Sequence, residues 1–185
     1  MAEPMQATHA SPSVIRRRPA RLRGLLVCES ASMPVARHLL TTGQERHEEA
    51  ALWAGYLTSQ GVGIVTTALL PYTEHDGAGC FMPVDVAARC YAEAKKRGQL
   101  LLAQIHTHPG RSAHHSRTDD DWAVCGDTPG FLSIVVPCFA RFGLERIFRG
   151  GALIHERMAS GQWREVPLEE VRRRFWVISS HCAVV

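Results

Sequence analysis

The sequence predicts an α+β domain, and three observations support this class. Apolar, β-branched segments typical of strands alternate irregularly with amphipathic segments typical of helices, without a strict strand–helix–strand repeat. The 185 residues suffice for one domain with a full hydrophobic core and are too few for two. With 45% hydrophobic and 21% charged residues, the composition is ordinary for a globular protein. We therefore expect α+β rather than a doubly wound parallel sheet.

The N-terminal part begins with a tail and continues with a strand and a helix. Residues 1–22 are rich in Pro, Ser, Ala and Arg and lack periodicity, which predicts a disordered basic tail ahead of a domain over residues 23–185. GLLVCES predicts the first strand. MPVARHLLTTGQERH predicts a helix, with Pro34 early in it and Gly43 near its end.

The next segments are a strand or helix, a strand and a helix. HEEAALWAGYLTSQ fits either a strand or a helix by its pattern. GVGIVTTALLPY is rich in β-branched residues and predicts a strand. MPVDVAARCYAEAKKRGQ predicts an amphipathic helix whose apolar stripe is Val84, Ala87, Ala88 and Tyr91, ended by Gly98.

The C-terminal half contains two buried strands, a hairpin and two helices. LLLAQIHTH and FLSIVVPCF predict buried strands, and the acidic TDDDWAVCG between them predicts a helix start. RIFRGGALIHERMASGQWREV predicts a hairpin or a pair of strands around Gly161. PLEEVRRRFWVI predicts a closing helix with Pro167 at its first position.

Charge and cysteine usage exclude several classes of protein. The net charge of +3 forms no basic stripe, so no nucleic-acid partner is expected. The six cysteines include no CxxC pair, which argues against a disulfide framework and a thiolate zinc site. Without a signal-peptide pattern or an apolar run of membrane-spanning length, we expect a reduced, cytoplasmic protein without a membrane partner.

The stretch QIHTHPGRSAHHSRTDDD predicts a metal site. His106 and His108 end an apolar strand, and side chains two residues apart on a strand point to the same face. Pro109 ends that strand, Ser116 follows His108 by eight residues, and Asp119 lies three residues further on, near a helix start. Two imidazoles and one carboxylate leave one open position on a tetrahedral zinc ion, as in catalytic sites.

These residues also resemble a known family. HTHPGRSAHHSRTD matches the HxHP…SxxD pattern of the JAMM (MPN+) zinc metalloproteases. EEAALWAG, from Glu48 to Gly55, matches that family's upstream segment E-x-x-(G/A)-x-x-x-G. The resemblance covers roughly residues 23–160, and its combined motif is highly specific.

The resemblance implies a fold and a role for each matching residue. The fold would be a single MPN-type domain, a mixed β-sheet flanked by helices with the layering of cytidine deaminases. His106, His108 and Asp119 would bind one zinc ion per chain. Glu48 would be the general acid and base, and Ser116 would donate a hydrogen bond to the oxyanion.

The activity implied is hydrolysis of an amide bond. Zinc lowers the pKa of its bound water to about 7, and a nearby carboxylate can pass the water's proton to the leaving amine. The family resemblance implies an isopeptidase that cleaves after the C-terminal glycine of a ubiquitin-like modifier, to process a precursor or to release a target. Compact bacterial members resembling this chain act with ubiquitin-activating-like and ubiquitin-conjugating-like enzymes, in several cases in antiviral systems.

Three other functions are alternatives to this isopeptidase activity. A JAMM peptidase that processes a sulfur-carrier protein would have the same core. A non-catalytic MPN scaffold would usually have lost ligands, which are present here. A zinc deaminase of the H-x-E…P-C-x-x-C kind is excluded, because Thr107 and His108 follow His106 and no second cysteine follows Cys138 at the required spacing.

Other polar residues near the predicted metal site are not expected to bind the metal or to act as the base. His114 and His115 are interpreted as solvated loop residues, because no strand orients them. Counting back seven residues from Gly55 selects Glu48, so Glu49 should face solvent or a helix.

Overall fold

The computed structural model describes residues 21–76, 79–121, 124, 130–144 and 149–178. Residues 1–20, most of the predicted tail, lie outside these ranges, as do residues 179–185. The last two residues of the predicted tail contact the domain. Leu22 is buried in the core, and Arg21 donates a hydrogen bond to Glu156.

Within the described residues the chain forms ten strands, four α-helices and one 3₁₀ helix. In chain order these are β1 Gly24–Cys28, α1 Glu29–Gln44, β2 Ala50–Leu57, β3 Val62–Leu69, β4 Glu74–Asp76, β5 Gly79–Phe81, α2 Val84–Lys96, β6 Leu100–Thr107, α3 Arg117–Asp121, β7 Leu132–Val136, the 3₁₀ helix Cys138–Ala140, β8 Leu153–Arg157, β9 Trp163–Glu165, α4 Leu168–Arg174 and β10 Phe175–Ile178.

Eight strands form one mixed sheet in the order β10-β1-β3-β2-β6-β7-β8-β9. Strand β1 is parallel to β10 and β3, and β6 is parallel to β7, whereas the other pairs are antiparallel. Strands β4 and β5 pair separately as a small hairpin. A mixed sheet flanked by helices confirms the α+β class and the fold that the family resemblance implies.

Strand β2 is buried on both faces, which explains its ambiguous sequence. Ala51 and Trp53 belong to the larger apolar cluster with α1, while Leu52 and Ala54 belong to the smaller cluster with α2. Because adjacent side chains of a strand point to opposite faces, the two helices cover opposite sides of the sheet. A strand with two apolar faces has no two-residue alternation, so its pattern alone could not separate strand from helix.

The structure corrects two element predictions and adds a hairpin. Helix α2 buries Val86 and Ala94, whereas Val84 and Tyr91 of the predicted stripe are exposed. The closing segment is helical only to Arg174, because FWVI pairs as β10 alongside β1. The hairpin β4–β5 was not predicted, since its strands have only three residues each. Among the described residues, no helix combines the length and apolarity needed to cross a bilayer.

An ion-pair cluster links the C-terminal elements, and we call it the Glu156 cluster. The Glu156 side chain is buried and accepts hydrogen bonds from Arg21 at 2.9 Å, Arg164 at 2.8 Å and Arg174 at 3.2 Å. Glu170 accepts further bonds from Arg164 and Arg174. The cluster therefore joins Arg21, which precedes β1, to β8, β9 and α4.

Candidate metal centre

The predicted site residues meet where β2 begins and β6 ends. In the antiparallel pair of these strands, Ala50 lies opposite His106. This register brings the residues just before Ala50, including Glu48, next to the end of β6. Helix α3 follows the loop after β6 and contributes Asp119. The site thus combines the segment before β2 with the end of β6 and α3, which follow much later in the sequence.

His106, His108 and Asp119 form a compact group of potential metal ligands. The Nε2 atom of His106 lies 3.2 Å from Oδ1 of Asp119, and Nε2 of His108 lies 3.3 Å from its Oδ2. One ligand atom from each residue lies within 4.8 Å of the other two. Such spacings suit atoms that surround one cation at about 2 Å each.

The donor atoms fit a metal ion better than they fit one another. The buried Nε2 of His106 has no hydrogen-bond partner among the described residues, although a carboxylate oxygen lies 3.2 Å away. The two atoms are close without the alignment of a hydrogen bond, as expected when both face a shared point. Two imidazole nitrogens and a carboxylate are a common ligand set for zinc. These residues could therefore hold a divalent cation.

The electrostatics of the group indicate a strong preference for positive charge. Burial raises the pKa of Asp119, but close polar contacts and charge interactions with His106 and His108 outweigh it and hold that pKa far below its usual range. Burial lowers the pKa of His108, but Asp119 and Glu48 outweigh it, so the net pKa is raised. The carboxylate is thus ionised at any ordinary pH and attracts a cation between the rings.

Ser116 positions Asp119 through two reciprocal hydrogen bonds. The backbone N–H of Ser116 donates to Oδ2 of Asp119 at 2.6 Å, and the N–H of Asp119 donates to Oγ of Ser116 at 3.2 Å. Ser116 precedes α3, so this is a capping box with an aspartate at its third position. The hydroxyl oxygen accepts in this pair, which leaves its hydrogen free to donate elsewhere.

Glu48 and Glu49 point in different directions, as their spacing from Gly55 predicts. The carboxylate of Glu48 interacts electrostatically with both site histidines, and the backbone N–H of Cys80 donates to it. Burial raises the pKa of Glu48, with His108 and His106 opposing that effect. Glu49 is only 6% exposed, and its carboxylate faces Thr73 and the helix residue His38. Of the two predicted orientations for Glu49, towards a helix or solvent, the structure shows the helix.

The interpretation of the loop histidines is half wrong. His114 is exposed, with Nδ1 3.3 Å from a Glu165 oxygen, as a surface residue would be. The side chain of His115, however, is only 6% exposed, bonds Asp120 at 2.9 Å and stacks on His155 with ring centroids 3.9 Å apart. The loop folds back against β8 and β9, which its sequence does not reveal.

His155 is a buried polar residue that sequence reasoning missed. Its side chain lies in β8, next to the ring of His115. Burial, with the charges of His115 and His106, lowers the pKa of His155 to about 3, so the ring is neutral at physiological pH. A single histidine within LIHER gives no signal of such packing.

A left-handed turn supports the loop that follows His108. The three consecutive residues Cys138, Phe139 and Ala140 have φ values of 56°, 53° and 55°. Residues other than glycine rarely adopt this backbone conformation, because it brings the Cβ atom close to the following carbonyl oxygen. The N–H of Phe139 donates to the carbonyl of His108 at 2.9 Å, and that of Cys138 donates to Gly110 at 2.8 Å. The strained turn therefore holds the loop beside the ligands.

Comparisons with known proteins show which family this sequence matches. Residues 33–142 match the family model of prokaryotic homologs of the JAB domain, and this range includes every predicted site residue. The chain is 40% identical over 149 residues to the "Probable metalloprotease y4jG" of Sinorhizobium fredii (strain NBRC 101917 / NGR234), covering 78% of this chain and 88% of that protein.

A solved structure supports the fold alone. The solution structure of protein DSY2949 from Desulfitobacterium hafniense matches with a TM-score of 0.57 at 13% identity. The match covers 84% of this chain and 94% of that one.

Proposed function

The chain belongs to the family of prokaryotic homologues of the JAB domain, and from this premise we propose that it is a zinc-dependent peptidase. Its reaction would be cleavage after the C-terminal glycine of a ubiquitin-like modifier, either to process a precursor or to release a conjugated target. The observation that carries the proposal is the convergence of His106, His108 and Asp119. A relative named as a probable metalloprotease supports the reaction class.

Glu48 is the proposed general acid and base. A zinc ion held by the three ligands would supply a Lewis acid and a water whose pKa is about 7. The Glu48 carboxylate accepts the proton of the attacking water and returns it to the leaving amine. Burial raises the pKa of this carboxyl, which makes it a better proton acceptor than an exposed glutamate.

Ser116 is the proposed donor to the oxyanion. Its Oγ accepts the N–H of Asp119, so the hydroxyl hydrogen is available for a substrate oxygen. Loss of such a donor typically costs about 10²–10³ in rate. Ser116 would thus have two roles, since the capping box also orients the ligand Asp119.

A narrow cavity beside the ligands favours a small residue at the scissile bond. The cavity has a volume of about 40 Å³ and is bordered by Phe81, Met82, His106 and Asp119, among others. Its small volume and the large side chains of Phe81 and Met82 at its border favour a substrate residue without a bulky side chain, such as glycine.

The experiment combines metal reconstitution with a choice of substrates. Metal-free protein loaded with zinc should cleave a ubiquitin-like domain that carries a peptide after its last glycine, and a strong chelator should abolish cleavage. Replacing that glycine by valine in the substrate is the matched control and should block cleavage. A sulfur-carrier precursor in the same panel separates the alternative substrate class. If the zinc-loaded protein cleaves none of these fusions, the proposal is wrong.

Pathway partners are a further part of the proposal. On the basis of its resemblance to compact bacterial JAMM proteins, we propose that the protein acts in a ubiquitination-like, antiviral pathway. In such a pathway the modifier would be attached by ubiquitin-activating-like and ubiquitin-conjugating-like enzymes. Co-purification of a modifier with a Glu48→Gln variant tests this step, because an enzyme without its base should bind substrate and not release product.

A further inference from the structure

Thr107, the residue between the two histidine ligands, contacts the residue after Glu48. Successive side chains of a strand alternate, so the Thr107 side chain points away from the ligand face. Thr107 is fully buried, and its Oγ1 accepts the backbone N–H of Glu49 at 2.9 Å. The N–H of Thr107 donates to the carbonyl of Glu49 at 3.0 Å. One residue of the ligand motif therefore binds both backbone groups of Glu49.

The side chain of Glu49 anchors the same segment from the other side. Its Oε1 accepts the hydroxyl of Thr73 at 2.5 Å and the N–H of Ala50 at 2.8 Å. Its Oε2 lies 3.7 Å from Nε2 of His38 in α1. Burial of a carboxylate is costly unless it is hydrogen-bonded. The bond from Thr73 connects the start of β2 to the segment before β4, and the contact with His38 places it against α1.

We propose that Thr107 and Glu49 are positioning residues that orient the Glu48 carboxylate towards the metal ligands. The proposal rests on the role given to Glu48 in the proposed function. Glu48 precedes β2, so the bonds of Glu49 continue the pairing of β2 with β6 up to the residue next to Glu48. Together with the Cys80 N–H that the Glu48 carboxylate accepts, these bonds set the direction of Glu48 relative to His106 and His108. A displacement of about 1 Å at a reacting group can cost about 10²-fold in rate.

The first test replaces the Thr107 hydroxyl. Thr107→Val keeps the shape of the side chain but removes the acceptor of the Glu49 N–H. We expect kcat to fall about 10- to 100-fold, with KM and zinc content unchanged. Thr107→Ser keeps the hydroxyl and should therefore recover most of the lost kcat. In the metal-free protein, amide hydrogen exchange at Glu49 should be faster in Thr107→Val than in the wild type. A Thr107→Val variant that loses zinc, or that keeps the wild-type kcat, overturns the proposal.

The second test asks whether Thr107 acts through Glu48. If it does, adding Thr107→Val to a Glu48→Gln enzyme should cause little further loss of kcat, because the group being positioned no longer works. An additive loss overturns the proposal.

A second pair of variants covers the case in which Thr107→Val fails to fold. Glu49→Ala removes the side-chain bonds, while Glu49→Gln retains an oxygen that can accept from Thr73 and Ala50. The alanine variant should lose kcat about 10-fold or more, and the glutamine variant should recover most of it. Equal losses in the two variants contradict the role of Glu49.

Failure of this inference differs from failure of the proposed function. A wild-type protein that binds zinc but cleaves no glycine-terminated fusion contradicts the proposed function. A wild type that cleaves them, with a Thr107→Val variant that cleaves equally fast, contradicts only the positioning role.

Discussion

Replacement of Glu48 by glutamine tests the base of the proposed reaction. The glutamine side chain has nearly the same volume as that of glutamate, and its amide oxygen could still accept the backbone N–H of Cys80 that Glu48 accepts now. The amide cannot take a proton from water. The Glu48→Gln variant should therefore fold normally and lack only the proton transfer.

The expected loss in rate follows from the role and from the position of the side chain. A positioned general base contributes about 10²–10⁴-fold, which corresponds to about 3–5 kcal/mol of barrier. Glu48 lies outside the group formed by His106, His108 and Asp119. We therefore expect a loss of about 10²–10⁴ in kcat at nearly full zinc occupancy.

Glu49→Gln is the matched control, since it makes the same chemical change one residue away. The Glu49 carboxylate faces Thr73 and His38, so it cannot reach a water at the ligands. This variant should lose much less activity than Glu48→Gln. Measuring kcat and bound zinc for both variants decides the assignment. If Glu49→Gln is the inactive enzyme, the chosen register is wrong by one residue; if both variants stay active, the base lies elsewhere.

Three further predictions concern the metal ligands, the thiol of Cys80 and the stability of the folded protein in acid. His106→Ala should lower bound zinc sharply, whereas the exposed His114→Ala should not, and full zinc occupancy in His106→Ala contradicts the ligand set. Burial, together with nearby glutamates, raises the pKa of Cys80 to about 12, so thiol-alkylating reagents at neutral pH should leave turnover largely intact; rapid inactivation by them would indicate a nucleophilic cysteine. In the Glu156 cluster, hydrogen bonds from arginines lower the pKa of Glu170 to about 2 from an ordinary value of 4.5. A depressed folded-state pKa adds stability above the unfolded pKa and loses it as pH falls, so Glu170→Gln should flatten the decline in unfolding free energy between about pH 4.5 and pH 2.

Local chemistry along the chain was enough to predict the ligand motif and the buried strands. His106 and His108 share a face because the strand period is two, and the apolar run before them predicts that strand. Asp119 could be placed on a helix start because acidic residues favour the positive end of the helix dipole. The spacing of apolar residues could not show which face of α2 is buried, because the exposed Val84 and Tyr91 are as apolar as the residues that are buried.

The sequence by itself determined the family, the fold class and the candidate ligands, since these depend on residue types at fixed short spacings. Only the tertiary structure decided what depends on contacts between distant segments. Pairing of β2 with β6 brings Glu48 beside the ligands and gives Thr107 the N–H of Glu49 as a partner. Packing against β8 covers the His115 side chain with His155, and pairing with β1 turns FWVI of the predicted closing helix into a strand. Such contacts are set by the burial and hydrogen bonding of the whole sheet, which no local spacing encodes.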